Sequence, residues 1–150
     1  MSDKFTFHTD SAEDTECLGE RIGAVLEPGI VLALMGDLGA GKTTLTKGIA
    51  RGLEVSDLIH SPTFNLIHEH FGRIPVYHFD LYRLTTPAEL EDLGYEDYFY
   101  SEGTAIIEWP EKILELLPPD HIEIRITESN GRTIEVTATG PSSAKLLKKL

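Results

Sequence analysis

The residues whose types and spacing most plainly suggest chemistry are Gly36-Asp37-Leu38-Gly39-Ala40-Gly41-Lys42-Thr43. They satisfy G-x-x-x-x-G-K-[ST] at every fixed position. With glycine at a background usage of about 7%, such a match arises by chance in roughly one chain of this length in two hundred, so it is worth pursuing. The chemistry this spacing serves is polyphosphate binding. The glycines let the backbone N–H groups of Asp37, Leu38, Gly39, Ala40 and Gly41 turn inward around an anion, and a helix N-terminus adds its partial positive charge. Lys42 would reach the β- and γ-phosphates, Thr43 would offer its hydroxyl to Mg²⁺, and Thr44 would lie near the α-phosphate.

A loop of this kind needs a carboxylate at the end of a neighbouring strand to hold Mg²⁺ or its water. Two are available. Glu108 ends the apolar run "AIIEW", and Asp80 ends "VYHFD". Glu108 sits on the more apolar strand and is assigned the Mg²⁺ or attacking-water role. For Asp80 the alternative to a metal role is a cap on the turn that follows it. The histidines at 68, 70 and 78 could in principle gather a metal, and His68 and His70 share a strand face. Without cysteine beside them, ordinary hairpin packing is the reading preferred over zinc.

The elements that must position these groups follow from pattern. "KFTFHT" (Lys4–Thr9) alternates as a strand, and Asp10 or Ser11 caps a helix running to about Leu26, with Leu18, Ile22, Val25 and Leu26 on one face. Cys17, the only cysteine, falls within that helix and is expected as a small buried hydrophobe rather than a nucleophile. "IVLALM" is a continuous apolar run, as expected of a central parallel strand. The glycine loop and a helix to about Leu53 complete the strand–loop–helix context that the phosphate motif requires. "FNLIHEHF" and "IPVYHFD" flank Gly72-Arg73 as a hairpin. Thr86-Pro87-Ala88-Glu89 combines a capping box with proline at the first helical position, opening a short helix to Leu93. "TAIIEW" is another buried strand, and residues 110–117 a helix closed by Pro118-Pro119. "HIEIRITES", Asn130-Gly131 and "RTIEVTAT" form the clearest hairpin. Residues 1–140 thus read as one α/β domain, and residues 141–150 as a tail or a short basic helix.

Composition bounds the function. Thirteen Lys and Arg against 25 Asp and Glu give a net charge of −12, which argues against a domain that grips nucleic acid by itself. Residues 85–120 carry ten acids against Lys112 alone. That segment is either a well-solvated face or a surface for a basic partner, and the sequence leaves both open. The start has no apolar leader, and no run approaches 18 apolar residues, so no membrane association and a cytoplasmic location are expected. No Asn-Lys-x-Asp favours guanine. Between Phe64 and Asp120 the only arginines are Arg73 and Arg83, too few for the arginine-rich lid of a small kinase.

Taken together, "GDLGAGKTT", "SPTF" (residues 61–64), "HFDLYR" (78–83), "DLGYEDYF" (92–99) and "IIEWPE" (106–111) resemble the TsaE (YjeE) family, small bacterial P-loop ATPases of the tRNA threonylcarbamoyladenosine machinery. The resemblance spans nearly the whole chain, and the five motifs occur in the family's order and spacing without departure. It implies a P-loop NTPase-like three-layer sandwich, a mixed and mostly parallel central sheet with helices on both sides and antiparallel hairpin additions. It also implies ATP and Mg²⁺ at the loop. It puts Thr63 in a switch-like segment near the γ-phosphate, Asp80 and Glu108 near Mg²⁺, and Trp109 beside the nucleotide. The implied partners are TsaB and TsaD, with the ATP cycle resetting their assembly rather than modifying tRNA.

Tyr82, Tyr95, Tyr98, Phe99 and Tyr100 then form either a docking patch or the packing of a helix on the sheet. Arg83 is the nearest cis arginine for the phosphates, the alternative being a surface ion pair. Without one, hydrolysis by the chain alone should be weak and should rise with the partners. The competing readings are a small-molecule P-loop kinase and a nucleotide-gated binding module.

Overall fold

The computed structural model of the chain describes residues 4–37, 41–56, 66–128 and 130–150. Its elements run β1 (Lys4–Thr9), α1 (Ala12–Val25), β2 (Val31–Gly36), α2 (Lys42–Gly52), β3 (Ile67–Phe71), β4 (Pro75–Asp80), α3 (Pro87–Asp92), α4 (Tyr95–Phe99), β5 (Thr104–Glu108), a 3₁₀ stretch (Pro110–Leu116), β6 (Ile122–Glu128), β7 (Arg132–Ala138) and α5 (Pro141–Leu147).

The strands form one sheet in the order β1-β7-β6-β2-β5-β4-β3. Its centre, β6-β2-β5-β4, is parallel. The edges are antiparallel, β7 and β1 on one side and β3 on the other. The apolar run of β2 sits at the middle because it is the segment able to bury both faces. Alternation then divides the core. Leu32, Leu34, Val76, Ile106 and Ile124 face α1, α2 and α5. Val31, Ala33, Met35, Phe79 and Ile107 face α3, α4 and the 3₁₀ stretch. Helices on both sides of a mixed sheet are the expected three-layer arrangement.

Ser11 caps α1, its hydroxyl accepting from the Asp14 N–H at 3.0 Å. Leu18, Ile22 and Leu26 are buried as the periodicity requires. Cys17 is a correction, because it is exposed. It shares its helix face with the exposed Glu13, Glu20 and Ala24, one step of rotation away from Leu18. Glycines join α1 and α2. Gly19 and Gly23 meet Gly48 and Gly52, and a methyl at Gly19 would come 2.5 Å from the Leu45 carbonyl oxygen. One at Gly23 would collide with the Ile49 carbonyl oxygen, and one at Gly48 with that of Glu16. Two helices approach this closely only where no Cβ intervenes.

Three local features add to or differ from the sequence pattern. After the expected helix to Leu93, Gly94 takes the left-handed conformation (φ 71°) and separates α3 from a further short helix, α4, within "DLGYEDYF". The segment after β5 is 3₁₀ rather than α-helical, with a non-helical residue at Ile113. Beyond Gly140 the helical of the two readings holds, and the α5 helix adds Leu146 and Leu147 to the core beneath α1, which a tail would not. Among the described residues, no helix is long and apolar enough to cross a membrane.

Candidate functional site

β2 delivers the chain to the glycine loop at Gly36, and the exposed Asp37 follows it. Leu38, Gly39 and Ala40, with Thr63 of "SPTF", lie outside the described residues. The loop closes at Gly41, whose φ of 107° is left-handed, and α2 begins at Lys42. Thr43 and Thr44 stand half-buried in its first turn.

Lys42 is the most informative side chain. Only 5% exposed, it folds back so that its ammonium donates to the Gly36 carbonyl at the end of β2. The same nitrogen lies 3.4 Å from the centroid of the Trp109 ring, within cation–π range. Trp109 follows β5 directly, with a left-handed backbone (φ 60°, ψ 55°) that is rare for a bulky residue and costs roughly 1–2 kcal/mol. Its ring also packs on Tyr82, centroids 5.0 Å apart.

Asp80 and Glu108 end neighbouring parallel strands and are register partners. Since Phe79 and Ile107 point to the other face, both carboxylates point to the face that carries α2. Asp80 Oδ1 accepts from the Tyr82 N–H at 3.1 Å, so the residue does cap its turn, and the second oxygen remains for other partners. Glu108, 3% exposed, meets His78 Nε2 at 2.5 Å through Oε2.

Burial makes these charges uncomfortable. It lowers the Lys42 pKa, against the upward pull of Glu108, Glu111, Asp80 and Asp37. It also raises the Asp80 carboxyl, helped by the neighbouring Glu108 and opposed by the Tyr82 hydrogen bond, His78 and Lys42. A phosphate beside Lys42 and a cation beside the two carboxylates would relieve both.

The donor set suits Mg²⁺. Carboxylate and hydroxyl oxygens are hard ligands, and Mg²⁺ takes one or two carboxylates together with phosphate oxygens and water rather than a full protein cage. Among the described residues no three His, Cys, Asp or Glu side chains gather as such a cage. His68 and His70 meet edge to face on β3, centroids 6.2 Å apart, while His78 is turned to Glu108.

Sequence reasoning missed Arg132. Its guanidinium lies against the loop: a Cβ on Gly41 would come 3.0 Å from Nε and 3.2 Å from Cζ. Nη1 also donates to Thr15 Oγ1 at 3.3 Å. A signal was present, because the strand after the Asn130-Gly131 turn starts with arginine and, two strands from β2, brings that start to the loop end of the sheet. Arg83 is exposed in the turn after β4.

Of the aromatic group, Tyr98 packs on Tyr77 and Phe79 at 5.0 and 5.7 Å, and Tyr95 on Phe99 at 5.2 Å. Phe99 is buried against Phe79. These three pack α4 on the sheet, and only Tyr82 and Tyr100 are exposed.

A parallel-centred sheet whose middle strand feeds a glycine loop and then a helix, with further helices on both faces, makes this an α/β protein of the P-loop NTPase-like class. The comparisons narrow the class. The family model described as "Threonylcarbamoyl adenosine biosynthesis protein TsaE" matches residues 9–135. The chain is 42% identical to the tRNA threonylcarbamoyladenosine biosynthesis protein TsaE of Bacillus subtilis (strain 168), over 89% of this chain and 84% of that protein. It is 40% identical to the Treponema pallidum (strain Nichols) protein of the same name, over 84% and 95%. The crystal structure of Bacillus subtilis YdiB superimposes with a TM-score of 0.87 at 35% identity, covering 99% of this chain and 95% of that one. The chain therefore belongs to the TsaE family of tRNA threonylcarbamoyladenosine biosynthesis proteins.

Proposed function

We propose that this chain binds Mg–ATP at residues 36–44 and hydrolyses it as the ATPase partner of TsaB and TsaD. The product of that machinery is N6-threonylcarbamoyladenosine at position 37 of tRNAs reading codons that begin with adenine, and the ATP cycle resets the complex without touching tRNA. The observation that supports this reading is the convergence of Lys42, Asp80 and Glu108 at one end of three adjacent strands, on the face that carries α2.

In this reading Lys42 exchanges the Gly36 carbonyl and the Trp109 face for the β- and γ-phosphates. The backbone of residues 37–41 cradles the polyphosphate, with Thr44 near the α-phosphate and Arg132 adding a fixed positive charge beside Gly41. Mg²⁺, held by Thr43, Glu108 and Asp80, would neutralise phosphate charge. Glu108 also orients the attacking water, Trp109 borders the nucleotide, and Thr63 contributes near the γ-phosphate. The net charge of −12 fits a protein that docks beside tRNA-binding partners and does not itself bind tRNA tightly.

The test is steady-state ATP hydrolysis by the chain alone and with a TsaB–TsaD pair, beside Lys42→Ala. The expected result is a slow intrinsic rate, stimulation by the pair, and loss of both in Lys42→Ala. Hydrolysis indifferent to the pair would redirect the search to small-molecule phosphate acceptors. Unchanged tRNA modification with Glu108→Ala would leave a nucleotide-gated binding module in place of an ATPase.

A further inference from the structure

His78 stands inside β4, in register with Ile106 of β5 and two residues before Asp80. Side chains alternate along a strand, so His78, Asp80 and Glu108 share one face, with His78 and Glu108 diagonal neighbours across the β4–β5 ladder. The imidazole is fully buried (0% exposed). Nε2 meets Glu108 Oε2 at 2.5 Å, whereas Nδ1 has no hydrogen-bond partner among the described residues. The fold alone gives no reason for histidine here. An aliphatic residue would fill this strand position, as Val76 does two residues earlier, without burying an unpartnered nitrogen.

We propose that His78 is a positioning residue for ATP hydrolysis, its Nε2–H holding Oε2 of Glu108 so that the carboxylate is fixed in one orientation and Oε1 is left available to water or metal. The contact asks for the tautomer with its hydrogen on Nε2, because the other would aim a lone pair at the carboxylate and place an N–H at the unpartnered nitrogen. Residues that orient a metal- or water-side ligand from behind typically change affinity or activity by about 10–100-fold when removed. The inference rests on the Glu108 role proposed above, and the experiment separates the two.

Single-turnover ATP hydrolysis and ATP affinity are measured for the full chain as wild type, Glu108→Gln, His78→Met, His78→Gln and the His78→Met/Glu108→Gln double variant. His78→Met should slow hydrolysis about 10–100-fold at saturating ATP while leaving the ATP Kd within about twofold. His78→Gln, whose amide can place a donor near the Nε2 position, should recover much of the loss. In the Glu108→Gln background, His78→Met should cost nothing more. Wild-type rates in Glu108→Gln would sink the Glu108 role and this proposal with it. A slowed Glu108→Gln beside an unimpaired His78→Met, or losses that multiply in the double variant, would overturn the proposal and leave Glu108 standing. If His78→Met unfolds thermally below the assay temperature, ¹⁵N-histidine spectra of the wild type and Glu108→Gln decide. An Nε2–H ring that shifts on Glu108→Gln supports the proposal, and hydrogen on Nδ1 overturns it.

Discussion

The two faces of the sheet are held by different means. On the face that carries α1 and α2 the core is aliphatic, and the helices touch main chain to main chain through Gly19, Gly23, Gly48 and Gly52. On the other face, short helices hold their place with rings, Phe79, Tyr77, Tyr95, Tyr98 and Phe99 meeting edge to face or tilted with centroids 5.0 to 5.7 Å apart. The helix that follows the glycine loop is therefore set by contacts that admit no repacking, whereas the acidic outer layer rests on side chains that can. If the loop end of α2 is the proposed ATP site, it demands a fixed position, because misplacement by about 1 Å costs heavily in catalysis. The other layer carries no such demand.

The contrast predicts opposite responses to volume. On the aromatic face, removal is the injury: Phe99→Ala, at a site 1% exposed, should lower unfolding free energy in urea by about 3–5 kcal/mol. A loss below about 1 kcal/mol would mean the rings are not a core. On the glycine face, addition is the injury. Gly23→Ala should cost about 1–3 kcal/mol and weaken ATP binding through α2, measured by urea unfolding and calorimetry. Unchanged affinity at reduced stability would dissociate the seam from the site.

A smaller, signed effect lies at the strand ends on the α2 face. The folded state raises the Asp80 carboxyl above its ordinary 3.8, so between those values the folded chain keeps a proton that the unfolded chain releases. Wild-type stability, relative to Asp80→Asn, should then fall as pH rises through that window and level off above it. Lys42 runs the other way. Lowered from 10.5, it should return stability as pH climbs from the lowered value toward 10.5. A flat difference across the acid window would show that burial is not felt at Asp80. The smallest effect belongs to Tyr100→Ser, 64% exposed, which should leave stability within about 0.5 kcal/mol. A larger loss would extend the aromatic core to the surface.

Much of this was legible because it is local. β2 and α2 flanking the glycine motif, the Asn130-Gly131 hairpin and the cap at Thr86 each announce themselves in one continuous stretch of sequence, and the structure has these elements. What was not legible depends on strand order. The sequence put Asp80 and Glu108 at strand ends, but the insertion of β5 between β2 and β4 is what makes them register partners. The same holds for Arg132, far from Gly41 in sequence and beside it in space. The use of Gly19, Gly23, Gly48 and Gly52 shows only when the facing backbone is known, since a glycine inside a helix has by propensity alone only a cost. Cys17 failed for a simpler reason, an error of one residue in helical phase.

The glycine seam bears finally on which second mutations could repair a first. A damaged side-chain core can be mended by trimming a neighbour, because the neighbour has atoms to give up. At Gly23 the obstructing atom is the carbonyl oxygen of Ile49, and at Gly48 that of Glu16, which every amino acid carries. No substitution at position 49 or 16 removes it. Genetic suppressors of a Gly23 or Gly48 defect should therefore be reversions to glycine, or distant changes that raise stability everywhere, and not exchanges in the facing helix.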